Sequence, residues 1–236
     1  MAETLLSPGV IAIENDQSFV TEQPVSVGAA IVGPTVKGPV EVPTVVTSYS
    51  DFVNKFGTSL TSGSNTYSYF TSIAAYNYFQ NGGTTLLVAR VVTGSYTSAI
   101  ADISGSTQAS SQPAFTLETL SKGAMMNSVG PTGSNGALLS GSADNVRWEI
   151  ANSNSGSGQF DLLIRRGDDL TNNKVILETW PGLSLDPKAS NFVTKVIGDY
   201  VYNYNSVNNQ IEVSGSYPNA SAYVRVKSVN LLTPDT

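Results

Sequence analysis

The order of turns and apolar runs between Ala29 and Val92 constrains the fold more than any other feature of the chain. The small apolar run Val27–Val32 stops at Gly33-Pro34, a dipeptide that favours a turn, so it predicts a buried strand. The β-branched run Val42–Thr47 predicts a second strand after another turn. A sheet with short, sharply ended strands is therefore expected at the start of this region.

Two helices and a third strand are predicted next. A short helix is expected around Asp51–Phe56, with Ser50 as its N-cap. A longer helix is expected from Asn65 or Thr66, ending at Asn81-Gly82-Gly83, because glycine favours the left-handed conformation at helix C-termini. Its helical spacing places on one face Tyr69, Ile73, Tyr76 and Gln80, flanked by Phe70 and Phe79. The nearly continuous apolar run from 84 to 92 predicts a strand covered on both faces.

The region after residue 95 predicts mainly strands. Gly- and Ser-rich segments fill much of 96–142 and predict long loops around one strand, Ala114–Leu120. Further strands are predicted at Val146–Ala151, Phe160–Arg165, Val175–Trp180, Gln210–Val213 and Tyr223–Val229. One helix is predicted after Asp186 or Ser190, either of which could cap it, with the apolar stripe Phe192, Val193, Val196, Ile197 and Tyr200. In Val146–Ala151, alternation places Val146, Trp148 and Ile150 on one face.

These patterns predict an α+β (mixed) fold in three parts. An N-terminal arm (1–20) precedes a small α/β unit (21–95), and a β-rich domain with one or two helices and Gly/Ser-rich loops follows (96–236). The boundary at Gly94-Ser95 is where an α/β pattern gives way to a Gly/Ser-rich and then β-rich one.

Composition excludes several classes of function. The chain has 236 residues, a net charge of −6, and neither histidine nor cysteine, so the commonest general base, disulfides and thiolate metal sites are all absent. Its 12 basic residues are scattered, which argues against nucleic-acid binding. No apolar run approaches the ~18 residues of a membrane span, and the start resembles no secretory signal. We expect neither an enzyme nor a cofactor.

Two sequence segments of the first unit resemble the N-terminal region of contractile phage tail sheath proteins: SYSDFVNKFG (48–57) and FQNGGTTLLVARVV (79–92). FDLLIRR (160–166), VILETWPGLSLDP (175–187) and NFVTKVI (191–197) follow the order of the same family. SKGAMMNS (121–128) departs from a family turn that usually carries Pro-Gly and Gly-Asn. The resemblance covers the N-terminal and middle portion. Full-length members continue into a C-terminal domain, so we expect this chain to be a fragment or a reduced relative.

The resemblance implies a function in the virion. Sheath subunits are made in the host cytoplasm, stack as rings around the tail tube and contract to drive the tube through a host envelope. Implied partners are other copies of the subunit, the tail tube protein, and the baseplate and tail terminator proteins, without membrane insertion. LLSPGV (5–10) also resembles the family, whose terminal extensions link neighbours. The residues predicted to add a strand to a neighbour's sheet are Pro8, Gly9, Val10, Ile11, Ala12 and Ile13.

Several side-chain groups could in principle carry other chemistry. Asp168, Asp169, Asn172 and Asn173 offer the oxygen ligands that calcium takes, but their spacing matches no standard loop, and a solvated hairpin turn is the favoured interpretation. Hence no metal site is predicted. Trp148 and Trp180, with the tyrosines of 67–78, could line a sugar or peptide groove, although aromatics at such spacing are more often core.

Carboxylate pairs and a serine remain as weak catalytic candidates. Asp144 with Glu149, or Glu118 with another acid, could form a glycosidase pair, which needs two carboxylates at a fixed separation. Ser121 beside Lys122 lacks the spacing of a nucleophile and its base. The rival to a sheath subunit is a β-rich adhesin or carbohydrate-binding module, and a polysaccharide-degrading enzyme comes third.

Overall fold

The computed structural model describes residues 28–62, 65–94, 96–104, 113–123, 142–154 and 156–230. The chain is mixed in secondary structure and richer in strand than in helix, as the predicted α+β class requires. None of the helices in these ranges combines the length and the apolar character needed to cross a membrane. The predicted arm and most of the Gly/Ser-rich loops lie outside the described residues.

The first unit is a three-stranded sheet with two helices. Its elements are β1 (Ala29–Gly33), β2 (Thr44–Val46), α1 (Tyr49–Phe56), β3 (Ser59–Ser62), β4 (Asn65–Ser68), α2 (Phe70–Gln80) and β5 (Leu86–Arg90). The sheet order is β1-β5-β2, with β1 parallel and β2 antiparallel to the central strand β5. The β3–β4 hairpin lies between the two helices along the chain.

The helices cover one face of this sheet only. The core of the unit consists of Val46, Phe52, Phe56, Ala75, Leu86 and Val88. Leu87 and Ala89 point to the other face and are only half-buried, while Val32 on β1 is 71% exposed. The prediction that the third strand is covered on both faces is therefore wrong for the described residues.

Helix α1 begins earlier than predicted. Ser48, not Ser50, is its N-cap, and its hydroxyl accepts a hydrogen bond from the Asp51 amide at 3.0 Å. The Asp51 carboxylate accepts in return from the Thr47 amide at 3.2 Å. This reciprocal arrangement resembles a capping box, which satisfies two amides that the helix itself cannot pair.

Helix α2 begins later than predicted and presents the opposite face to the core. Residues 65–68 form β4, and the helix begins at Phe70. The side chains that pack inward are small, namely Thr71, Ser72 and Ala75. Ile73 and Tyr76, on the face predicted to be apolar core, are 46% and 45% exposed. The predicted end of the helix is confirmed, since Gly82 has a φ of 87°.

The second unit contains two three-stranded antiparallel sheets, a short helix and a two-stranded ribbon. Its elements are β6 (Ser98–Ile103), β7 (Phe115–Lys122), β8 (Val146–Asn154), β9 (Gln159–Arg166), β10 (Ile176–Ser184), α3 (Val193–Ile197), β11 (Val201–Asn205), β12 (Gln210–Ser214) and β13 (Val224–Val229). The sheet orders are β13-β7-β6 and β10-β9-β8, and β11 pairs with β12 alone. The predicted hairpin between the strands near 160 and 176 is confirmed as β9–β10.

One core joins both sheets and α3. It contains Ile103, Phe115, Leu117, Val146, Phe160, Leu162, Ile164, Leu183, Phe192, Val193, Ile197, Val224 and Val226. Phe115 on β7 and Phe160 on β9 stack with ring centroids 5.6 Å apart, so an aromatic pair bridges the two sheets. Trp148 and Ile150 pack against this core, as alternation along β8 predicts.

Three predictions for this unit need correction. β6 and β11 were not predicted: β6 lies in the stretch expected to form loops, and β11 alternates tyrosine with asparagine. Helix α3 has only five residues and ends at Gly198, whose φ of 102° stops it before Tyr200. Asp186 caps a turn rather than the helix, accepting from the Lys188 amide at 2.9 Å.

We predict that residues 96–230, expressed alone, unfold in one cooperative thermal transition, because their sheets share a core that takes no residue from the first unit. Calorimetry checks this expectation by comparing the calorimetric and van't Hoff enthalpies. A broad, non-cooperative transition would count against the boundary near residue 95.

Candidate functional site

A buried arginine joins the two units. Arg90 ends β5 and is 7% exposed. Its Nη1 donates to the Gly38 carbonyl at 2.7 Å in the first unit and to the Lys122 carbonyl at 2.8 Å in the second. Nη2 donates over a longer 3.4 Å to the Val36 carbonyl. One guanidinium therefore fixes a loop, a strand end and the end of β7 relative to one another.

Burial lowers the pKa of Arg90, and the nearby Tyr69 opposes that shift. Arginine nevertheless stays protonated in proteins, so a full charge lies at this junction. It is held by backbone carbonyl dipoles.

Two further contacts join the units beside Arg90. The Gly38 amide donates to the Ser121 hydroxyl at 2.7 Å, and Lys37 pairs with Asp144 at 3.4 Å. Gly38 has a φ of 112°, and a Cβ there would lie 2.6 Å from the Phe56 ring. The loop can thus approach α1 this closely only because residue 38 is glycine.

A cleft of about 820 Å³ opens beside this junction. Both units line it, and the charged side chains on its wall are Lys37, Lys55, Asp144, Arg166 and Asp168. Each of the five is already in an ion pair, with Lys55 bound to Asp51 on α1. A charged ligand would have to break one of these pairs, so the cleft offers hydrogen-bonding hydroxyls and amides rather than a free charge.

Asp169 lies at the base of the β9–β10 hairpin and is 3% exposed. Its carboxylate accepts from Arg165 at 2.7 and 2.8 Å, from Arg147 at 3.0 Å and from the Val175 amide at 3.0 Å. Arg147 and Arg165 are directly opposite each other on β8 and β9. Asp169 thus separates two like charges that the strand register brings together.

Burial by itself raises the pKa of Asp169, but the hydrogen bonds from Arg165 and Val175 and the charges of Arg165 and Arg147 outweigh it and hold that pKa below its ordinary value. Glu149 also has a lowered pKa, first through its hydrogen bond from Lys174 and then through Arg165. The arginine pair is therefore neutralised by carboxylates that remain ionised at neutral pH.

This geometry corrects the interpretation of the hairpin. The favoured interpretation places Asp169 in a solvated hairpin turn, but both its oxygens accept hydrogen bonds from Arg147, Arg165 and the Val175 amide. Asp168 pairs instead with Arg166, and the Asn173 amide donates to the Leu170 carbonyl. The described residues contain no group of three or more acidic side chains that could hold a metal ion.

The other catalytic candidates are also tied into structure. Glu118 pairs with Arg225 and Lys227, Glu149 with Arg165 and Lys174, and Asp144 with Lys37. The Ser121 hydroxyl accepts from Gly38, while the Lys122 ammonium lies 5.4 Å from the centroid of the Tyr96 ring. Trp148 and Trp180 pack against the core, as the favoured interpretation predicts. That interpretation is wrong for Tyr67 and Tyr76, which are 54% and 45% exposed.

Two apolar surfaces are exposed: the sequence analysis favoured a core position for the first and missed the second. The first, called here the helix face, consists of Tyr67, Phe70, Ile73 and Tyr76, and Phe70 is 88% exposed. The second, the ribbon face, consists of Tyr202, Tyr204, Ile211 and Val213, each between 40% and 50% exposed. The alternation of Tyr202 with Tyr204, and of Ile211 with Val213, was the available signal for the second surface.

Comparison with known proteins assigns no family: no protein-family model matches the chain, and no curated protein matches it. The predicted arm residues, Pro8 to Ile13, lie outside the described residues, so their contacts stay a prediction.

We predict that Asp169→Asn lowers the free energy of unfolding by ~3–5 kcal/mol, because it leaves Arg147 and Arg165 facing each other without a carboxylate. The neighbouring Asp168→Asn is the matched control and should cost less than ~1 kcal/mol, since its pair with Arg166 is partly exposed. Urea denaturation of both variants measures the difference, and equal losses would contradict the assigned role.

The stability difference between the parent protein and Asp169→Asn should depend on pH. Because the folded-state pKa of Asp169 lies below its unfolded value of about 3.9, its contribution is fully present above that pH and is lost as pH falls through the folded-state pKa. The stability gap between parent and Asp169→Asn should therefore shrink below about pH 4. A constant gap down to pH 2 would show that ionisation of Asp169 is irrelevant.

We further predict that Arg90→Met destabilises the chain by ~1–3 kcal/mol, because it leaves buried carbonyls in both units without a donor. Lys37→Gln breaks an ion pair across the same junction but should cost less than ~1 kcal/mol. Thermal unfolding should also separate into two transitions in Arg90→Met alone. Unchanged stability in that variant would remove Arg90 as the link.

Proposed function

We propose that this chain is a structural subunit of a contractile phage tail sheath, which self-assembles around a tail tube and contracts to drive the tube through the host envelope. The observation that carries the proposal is the run of family-like segments at 48–57 and 79–92, which fold here as α1 and as the end of α2 with β5.

A sheath subunit has to move as a rigid body while extended segments keep it connected to its neighbours. The Arg90 junction supports the first requirement, because buried hydrogen bonds from one side chain hold both units. Such a subunit would act in the virion tail after assembly in the host cytoplasm. Its partners would be other copies, the tail tube protein, and the baseplate and tail terminator proteins.

The second requirement concerns the arm. β1 is an edge strand of its sheet, and no other described strand pairs with its outer side. An edge of this kind presents unpaired amides and carbonyls and accepts an added strand. Val10–Ile13 of a neighbouring copy is a β-prone run of suitable length for such an addition. The arm precedes β1 in the sequence, with residues 21–28 between them.

We predict that deleting Met1–Asp16 from the full natural subunit leaves its folded units intact and abolishes ordered tubes. Ile11→Pro should act in the same direction, because proline removes a backbone donor from the added strand, whereas Ile11→Val keeps the donor and serves as the control. Electron microscopy measures tube formation, and circular dichroism checks the fold. Normal, contractile tubes from the armless subunit would overturn the assigned role of the arm.

The alternative is a β-rich adhesin or carbohydrate-binding module. Exposed tyrosines can stack on sugars, and Tyr202 and Tyr204 lie on one side of the exposed β11–β12 ribbon. Glycan-dependent binding that is lost in Tyr202→Ala, by a protein that forms no tubes, would favour this alternative over a sheath subunit.

A further inference from the structure

The β11–β12 ribbon is an exposed sheet, and all five residues of β12 are exposed. In the β11–β12 register, Tyr202 lies opposite Val213 and Tyr204 opposite Ile211, so four large apolar residues share one side. The other side carries Asn203 opposite Glu212. The ribbon pairs with no further described strand, and a two-stranded hairpin is marginal in water unless something packs against it. The ribbon would therefore be stabilised by a partner that packs against its apolar side.

The helix face has the same character on the other unit. Phe70, Ile73 and Tyr76 follow helical spacing along the outside of α2, and Tyr67 joins them from β4. The Tyr76 ring meets that of Tyr49 edge-on at 5.0 Å, which fixes its position. This surface is aromatic, preorganised and open.

Charge indicates what could cover each surface. The chain carries a net charge of −6, so copies of it repel one another at long range. Yet residues 56–89, which contain the helix face, include no charged residue, and neither do residues 200–211 of the ribbon. Copies of an acidic chain can approach with least repulsion where both surfaces are neutral. A basic partner would be drawn to the acidic surfaces instead.

We propose that the ribbon face of one copy packs on the helix face of the next. Because the two surfaces differ, the contact is heterologous and repeats into rings or helical arrays. Aromatic residues bury roughly 150–250 Å² each, so four-residue surfaces with two or three aromatics fall short of the ~800 Å² per partner of a stable pair. The contact is therefore weak singly and effective when repeated. It rests on the proposed self-assembly and names two of the surfaces that meet.

A charge-complementation experiment on the full natural subunit tests the contact. Ile73→Glu places a negative charge on the helix face, and Ile211→Lys places a positive charge on the ribbon face. Each alone should raise the critical concentration for assembly at least about tenfold, because an unpaired charge enters an apolar contact. The double variant should recover most of the loss. Asn203→Lys, on the polar side of the ribbon, is the matched control and should assemble as the parent does.

Light scattering and electron microscopy measure assembly, and the melting temperature of each dilute subunit verifies that it is folded. If both single variants assemble like the parent, or if the double variant shows no recovery, the contact is overturned while the sheath proposal stands. If the parent forms no assembly at all and binds glycans through Tyr202 and Tyr204, both proposals fail.

Discussion

Burial of the Arg90 charge between the two units is the constraint on which the rest of the structure depends. Removing a guanidinium from water is costly, and the cost is offset only when its donors find acceptors in good geometry. Here the acceptors are the carbonyls of Gly38 and Lys122, one in each unit. The loop before Val40 and the end of β7 must both be in place before Nη1 has its two acceptors. The position of the cleft walls follows from this requirement.

The predictions succeeded for features that the local sequence pattern determines. They failed for the inward face of α2, which depends on how closely the helix packs against the sheet. Residue types that are close together in the sequence determine most strands, the β9–β10 hairpin and the end of α2 at glycine. They do not determine the inward face of α2, because hydrophobic spacing places the aromatics inside. A Cβ at Gly33 would lie 2.4 Å from the Thr71 hydroxyl, so α2 approaches β1 too closely for large residues. Small residues therefore face the sheet, and the aromatics face outward.

The role of Asp169 shows what pairing information adds. The segment 167–173 is polar and rich in Asp and Asn, which is typical of an exposed turn. Its burial follows from Arg147 and Arg165, which the β8–β9 register places opposite each other. Like charges directly across a strand pair are destabilising, so a carboxylate has to lie between them. If the register of β8 and β9 could be predicted from the sequence, the opposed arginines would indicate that a carboxylate lies near the end of β9. The arm, which carries the only predicted site residues, lies outside the described part of the chain.

The distribution of charge bears on the stability of the chain and on its proposed assembly. With only 13% charged residues, the chain places arginines where they organise its interior: Arg90 at the junction, and Arg147 and Arg165 beside Asp169. The two exposed apolar faces carry none. Since an unpaired charge buried between subunits costs more than it returns, a surface that is to be covered by a copy has to be neutral. A neutral surface does little to orient one copy relative to the next. In the proposed contact, the shape of the aromatic side chains and the strand register must supply that orientation. Tyr76 held by Tyr49, and the strict opposition of Tyr202 with Val213, are features of that kind.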